Sequence, residues 1–281
     1  MNNSTSQDKH GEQYFWDKIA QERIYAAFDR SEYADVFEKA LGKNLSGKTI
    51  ADIGCASGIS AVMLASQGAK VIGVDISPEL IQQAKKLWTE FSGQTDFITG
   101  DAEHLNIRDN SVNACFFGGV LHHFPDREKV YEESLRMLIS GGKFVALEPN
   151  RLDFLERIEW GVADLRGKLS PNEYPIDPNE MRRELKRTGF HSIRFWTIRH
   201  DIPFLAQFPV FKYFFSRQKG FWLKKPILSF INAFRSPEQR GTFFVIEATK
   251  YLGINNLNIS ARLSWRNFII PFPVKISPLH I

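Results

Sequence analysis

A glycine-containing turn with an acid of its own, followed by acids at the ends of the next two strands, is the part of this chain best suited to chemistry. The turn is Ala51-Asp52-Ile53-Gly54-Cys55-Ala56-Ser57-Gly58. Its small side chains let the backbone approach a ligand closely, and the free N–H groups of a following helix would point at that ligand. Asp75 comes 21 residues after Gly54. That is the spacing at which a strand-end acid accepts hydrogen bonds from ribose hydroxyls. Asp101 ends a third strand, where its carboxylate can accept from an adenine amino group and the Ala102 N–H can donate to a ring nitrogen. A dinucleotide turn wants glycine where Ala56 stands, and Asp52 just ahead of Gly54 repels pyrophosphate but suits a cation. The ligand described by these residues carries adenosine at one end and an ammonium or sulfonium group near the glycines.

A second group follows the fourth and fifth strands. His122 and His123 sit after strand four and Glu148 ends strand five, so all three are candidates to face a reacting molecule. A histidine there can take a proton near neutral pH. The competing reading is a packing role at the pocket rim for both histidines and a pocket-shaping role for Glu148. Cys55 suits a small packing position better than a nucleophile. Tyr14 and Trp16 either close over the ligand or complete the core. No Cys/His cluster has metal spacing.

These residues must be placed by alternating strands and helices. Amphipathic patterns predict helices over Gly11–Asp29 and Glu32–Leu41, ahead of the first strand. Strand one, Lys48 to Ala51, leads into the turn, and a helix starts at Ile59. Strand two is Lys70 to Val74; Ser77 and Pro78 then cap and open a helix running to about Phe91. Thr95–Thr99, Ser111–Phe117 and Lys143–Leu147 read as strands three to five. Arg127–Ile139 reads as a helix closed by a turn at Gly141-Gly142. After Pro178–Thr188, a helix stopped by Gly189, come strands at Phe190–Arg199 and Thr242–Thr249. Near-continuously apolar strands alternating with helices predict a parallel sheet covered on both faces.

At this point the chain resembles the class I S-adenosylmethionine-dependent methyltransferases, most closely the group that includes the ubiquinone and menaquinone biosynthesis methyltransferases. The resemblance runs from about Thr49 to Asn150 and weakens towards Lys250. It rests on the turn at 51–58, Val74-Asp75-Ile76-Ser77, Gly100-Asp101-Ala102-Glu103, Val120-Leu121-His122-His123-Phe124 and Ser140-Gly141-Gly142-Lys143. Two positions depart from the family pattern: Ala56 stands where glycine is common, and Asn113 where an acid often precedes strand four. The resemblance implies an α/β fold with a Rossmann-like, seven-stranded, mostly parallel sheet. It also implies S-adenosyl-L-methionine as cofactor, with Asp52, Gly54, Cys55 and Gly58 around its methionine portion. Asp75 would hold the ribose, Ile76 would pack on adenine, Asp101 and Ala102 would read the adenine edge, and Gly118 would lie against the cofactor. Two alternatives stay open, a nicotinamide-dependent oxidoreductase and a non-catalytic cofactor-binding scaffold.

Composition sets the remaining bounds. The 281 residues, 43% hydrophobic and 24% charged, allow an ample core without staples. Only Cys55 and Cys115 are present, so no disulfide framework is expected, and a reducing, cytoplasmic setting is. The first ten residues lack the apolar core of a secretory leader. Residues 202–281 hold 11 Lys/Arg against 2 Asp/Glu, whereas residues 1–201 hold 25 against 30. The expected organisation is an N-terminal helical lid over 1–45 and a methyltransferase domain over 46–250. That domain carries an aromatic-basic helical insertion at 202–240, and a basic, apolar tail occupies 251–281. Phenylalanines interleaved with Lys/Arg over 204–235 suit a lipid-like or hydrophobic acceptor and peripheral contact with anionic membranes. They do not form a nucleic-acid motif, and no nucleic-acid partner is expected.

Overall fold

Strands that are apolar on both faces need cover on both faces, and this chain supplies it with helices. The computed structural model describes residues 7–25, 30–198, 236–239 and 241–251. Helices α1 (Lys9–Glu22) and α2 (Arg30–Leu41) precede the sheet. The chain then runs β1 (Thr49–Ile53), α3 (Ile59–Ser66), β2 (Lys70–Asp75), α4 (Pro78–Leu87), β3 (Thr95–Thr99) and β4 (Val112–Gly118). It continues through α5 (Glu128–Met137), β5 (Leu138–Pro149), α6 (Phe154–Leu165), α7 (Pro178–Thr188), β6 (Phe190–Ile198) and β7 (Phe243–Lys250). The seven strands lie in the order β3-β2-β1-β4-β5-β7-β6, and only β7 runs against the others. This is the Rossmann-like sheet expected from the resemblance.

Side-chain alternation splits the core into two layers. On β4, Ala114 and Phe116 face one way with Ile50, Val71, Val145 and buried residues of α2, α3 and α4 such as Phe37, Leu64 and Ile81. Cys115 and Phe117 face the other way with Ala51, Ile53, Phe144 and Tyr131, Met181 and Leu185 from α5 and α7. One layer thus supports the turn after β1 from below, and the other supports the ends of β4 and β5.

Several boundaries differ from expectation. Helix α1 ends at Glu22 with Arg23 extended, rather than continuing to Asp29. The helix after Ser77 stops at Leu87, and a separate 3-10 turn spans Thr89–Phe91. Gly141-Gly142 does not turn the chain. It lies inside β5, where Val112 pairs with Leu138 but Ala114 pairs with Lys143, so the extra residues form a bulge. Sheet pairing captures Leu138 and ends α5 at Met137. Helix α6 was not expected, although Asp153 accepts from the Glu156 N–H at 3.1 Å in a cap that the Asp-x-x-Glu spacing signals. Apart from residues 236–239, which hold a 3-10 turn at Pro237–Gln239, and Tyr251, the insertion at 202–240 and the tail at 251–281 lie outside the described residues. Among the described residues no helix is long and apolar enough to cross a membrane.

Gly58 shows how tightly the first turn is built. It opens α3 at φ +82°, and a Cβ there would sit 2.8 Å from the Phe97 ring and 3.0 Å from Trp88. Gly58→Ala is therefore expected to lower stability by about 1–3 kcal/mol, through backbone strain and a rigid aromatic neighbour. Urea unfolding measures this, and an unchanged midpoint would contradict the packing.

Candidate functional site

The sheet reverses its winding at β1, whose neighbours are β2 on one side and β4 on the other. Ligands of open α/β sheets bind outside the carboxyl ends of the strands at such a point. Here a cavity of about 790 Å³, mouth included, opens there. Gly54, Cys55 and Ala56 line it from the turn after β1, and Asp75 and Ile76 from the end of β2. Asp101 and Ala102 line it after β3, and Gly118, Val120, His123 and Phe124 at and after the end of β4. Eight of the twelve residues singled out from the sequence thus share one wall. Asp52, Gly58, His122 and Glu148 do not reach it, and each has a physical reason.

The turn is stitched to β2. The Gly54 and Cys55 N–H groups both donate to the Val74 carbonyl, at 2.7 and 2.9 Å, and the Ala56 N–H donates to Asp75 Oδ2 at 2.9 Å. Ala56 takes φ +47°, the left-handed conformation for which glycine is the usual choice. Asp75 Oδ1 accepts from the Ser77 N–H at 3.0 Å, so each carboxylate oxygen keeps a lone pair. Burial lifts the Asp75 carboxyl to about 6 against those N–H bonds. Asp52 points beneath the turn, where Ser60 Oγ donates to it at 2.6 Å. Burial, opposed by Ser60 and aided by the charge of Asp75, lifts its carboxyl to about 7. Gly58 faces Phe97 and Trp88 rather than the cavity.

Helix α1 closes the other side. Lys9 Nζ bridges Asp101 at 2.5 Å and Glu103 at 2.6 Å, Asp17 contacts Ser77, and Gln83 Nε2 donates to the Ala20 carbonyl at 3.1 Å. Trp16 lines the cavity and packs against Tyr25 and His123, with centroids at 4.9 and 5.5 Å. Tyr14, by contrast, is 75% exposed and points to solvent. Glu12 is fully enclosed. Burial alone would raise its pKa, but hydrogen bonds from His123, Ser170 and Asn172 outweigh burial and hold it at about 2. Sequence reasoning passed over Gln7, Glu12, Ser170, Asn172 and Glu173. Only Glu12 carried a signal, an acid four residues before Trp16 on one helix face.

His122 and His123 are neighbours with different surroundings. His123 lines the cavity, whereas the His122 ring turns away. His122 Nδ1 donates to Glu148 at 2.8 Å, and its Nε2 lies 3.7 Å from Glu173. Glu148 also accepts the Val120 and Leu121 N–H groups, at 3.0 and 2.8 Å, and so ties the chain after β4 to the end of β5. Burial alone would lower the His122 pKa, but the two carboxylates outweigh it and raise it to about 9. A folded pKa above the unfolded 6.5 adds stability that is complete below pH 6.5 and lost as pH rises through about 9. Between those values the protein is expected to lose roughly 1–3 kcal/mol of stability. His122→Gln should flatten that part of the profile, as read by urea midpoints across the range. Equal slopes in the two proteins would refute the ion-pair assignment.

Known proteins resemble this chain in sequence and in fold. Residues 51–146 match the family model of a methyltransferase domain. A ubiquinone biosynthesis O-methyltransferase of Aliivibrio fischeri is 30% identical over 162 residues, covering 55% of this chain and 68% of that protein. An arsenite methyltransferase of Halobacterium salinarum is 29% identical over 109 residues, 37% of this chain, and the chain spans only 28% of that relative's length. In fold, the chain is similar to a Thermotoga maritima S-adenosylmethionine-dependent methyltransferase described as a possible histamine N-methyltransferase. The TM-score is 0.59 at 20% identity, over 85% of this chain and 99% of that one. With the strand order, the stitched glycine turn and these sequence matches together, the chain belongs to the class I S-adenosylmethionine-dependent methyltransferases.

Proposed function

We propose that this protein moves a methyl group from S-adenosylmethionine to a small, apolar or lipid-like acceptor. The observation that carries the reading is Asp75, held at the cavity wall by two backbone N–H groups with a lone pair left on each oxygen. The donor set fits the cofactor. Asp75 would accept the ribose hydroxyls and Ile76 would cover the adenine. The Ala102 N–H and the Asp101 carboxylate, neutralised by Lys9, would meet the adenine edge. A Cβ on Gly54 would sit 2.3 Å from Val120, so the backbone at 54 can lie against a ligand only as glycine. Asp52 would act from below, through Ser60, which itself lines the cavity. Gly118 would bring bare backbone to the same wall.

When bound, S-adenosylmethionine supplies a methyl carbon already activated by its sulfonium charge. The chain's own task is then to bind, align and exclude water. Trp16 and Tyr25 cover the cavity on the side of α1. An apolar acceptor is favoured by the aromatic wall of Trp16, Tyr25, Tyr33 and Phe124 and by the aromatic-basic sequence over 204–235. That same sequence motivates peripheral contact with anionic membranes. Co-sedimentation with anionic but not neutral vesicles tests it, and binding to neither vesicle type counts against it.

Asp75→Asn keeps the size of the side chain and removes the charge. It is expected to weaken S-adenosylmethionine binding by about 1–3 kcal/mol while the fold persists. Titration calorimetry with a thermal melt as control measures this, and unchanged affinity would overturn the assignment. Mass spectrometry of molecules that co-purify with the protein would identify the acceptor class directly.

A further inference from the structure

Helix α6 turns its apolar side outward. Phe154, Ile158 and Leu165 are 64%, 36% and 89% exposed, and with Gly161 they form one stripe along the helix. The opposite side holds Glu156, 4% exposed, and the half-buried Trp160, whose ring meets His122 edge-on at 5.6 Å. A helix that packs only on its own chain turns its apolar stripe inward. Gly161 stands in the helix interior, where glycine is less stable than alanine. A Cβ there would meet nothing within 4 Å, and its φ is not in the left-handed region, so the described residues give no reason for a glycine. The close approach of a second backbone gives one. Arg157 and Asp164 lie two turns apart on one flank of the stripe. Both are exposed, and among the described residues neither is in a salt bridge.

We propose that this stripe is the contact face for a second copy of this chain, with the two α6 helices antiparallel about a two-fold axis that passes between Ile158 and Gly161. In such an isologous contact the same residues serve both sides, so the stripe must complement itself. It does so in shape and in charge. Phe154 meets Leu165 of the second copy, and Ile158 lies over its Gly161, large against small. The flank that carries Arg157 in one copy faces the flank that carries Asp164 in the other. At a rise of 1.5 Å per residue the two side chains differ by only about 3 Å along the axis, within reach of an arginine, and the pair forms twice. An anionic lipid surface fits the helix less well, because Phe154–Leu165 carries Glu156, Glu159 and Asp164 against Arg157 alone. One face of about three turns is smaller than the roughly 800 Å² per partner of a standard interface, so the pairing is weak, with a Kd of micromolar order. The pairing stands apart from the methyl-transfer reading, since no residue of the stripe lines the cavity.

Sedimentation velocity of the full chain, from about 1 to about 200 μM, tests this across the micromolar range. The native chain is expected to pass from monomer to dimer as concentration rises. Arg157→Asp and Asp164→Arg each set like charges opposite one another and are expected to weaken the dimer at least about tenfold. An equal mixture of the two variants restores both opposite-charge pairs, so it should dimerise as the native chain does, as should the double variant. Ile158→Glu should leave a monomer. Gly161→Gln should weaken the dimer while the melting temperature at low concentration stays level or rises, since the glycine costs the lone helix stability. A native chain that stays monomeric over the whole range would overturn the proposal. So would a dimer that survives Ile158→Glu and Arg157→Asp, because its interface lies elsewhere. Two charge variants that fail alone and do not recover on mixing would overturn the antiparallel pairing. Monomeric native chain whose binding to anionic vesicles is lost in Ile158→Glu would assign the stripe to lipid instead. Circular dichroism checks the fold of each variant, and should Ile158→Glu not fold, the mixture of the two exposed charge variants carries the test.

Discussion

The site depends on the stitching of one turn to its neighbouring strand. The Val74 carbonyl takes two N–H groups from the turn after β1, and the Asp75 side chain takes a third. The turn cannot move without carrying Asp75 with it, and Asp75 in turn holds the start of the next segment through Ser77. Val120 packs over Gly54 so closely that no side chain fits beneath it. Because Glu148 accepts the Val120 N–H, hydrogen bonds and packing tie the ends of β1, β2, β4 and β5 into one rim.

Buried carboxylates around the cavity behave oppositely, and donor supply decides which way each goes. Asp52 meets one hydroxyl and Asp75 only backbone N–H groups, so burial prevails and both pKa values rise. Glu12, as little exposed to solvent, gathers hydrogen bonds from His123, Ser170 and Asn172, and its pKa falls. A carboxylate short of donors gains most from an approaching cation, whereas one rich in donors serves as a fixed charge for a neighbouring ring. Acids of similar burial thus take on different work.

Sequence patterns revealed the parts governed by local rules. Ser77-Pro78 opens α4, Gly189 closes α7, and the strand ends deliver Asp75 and Asp101 to one wall because successive parallel strands finish at one sheet edge. Facing direction was less legible. Asp52 was expected beside the methionine portion of the ligand, but its side chain turns away from the cavity towards Ser60. His122 and His123 are adjacent in sequence, yet only the contacts of Glu148, Ser170 and Glu12 separate a structural ion pair from a cavity-lining ring. Those partners lie up to 158 residues apart in the chain, as Ser170 and Glu12 do, and no short motif records such a meeting. The Gly141-Gly142 pair misled because a bulge and a turn draw on the same residue type.

Helix α1 concentrates two dependencies in one element. Lys9 latches it to the acids after β3, Trp16 and Glu12 form part of the cavity wall, and Glu12 also touches the His123 ring. A substitution that loosens the seat of this helix would therefore disturb the enclosure of the cavity and the charge beside the ring together.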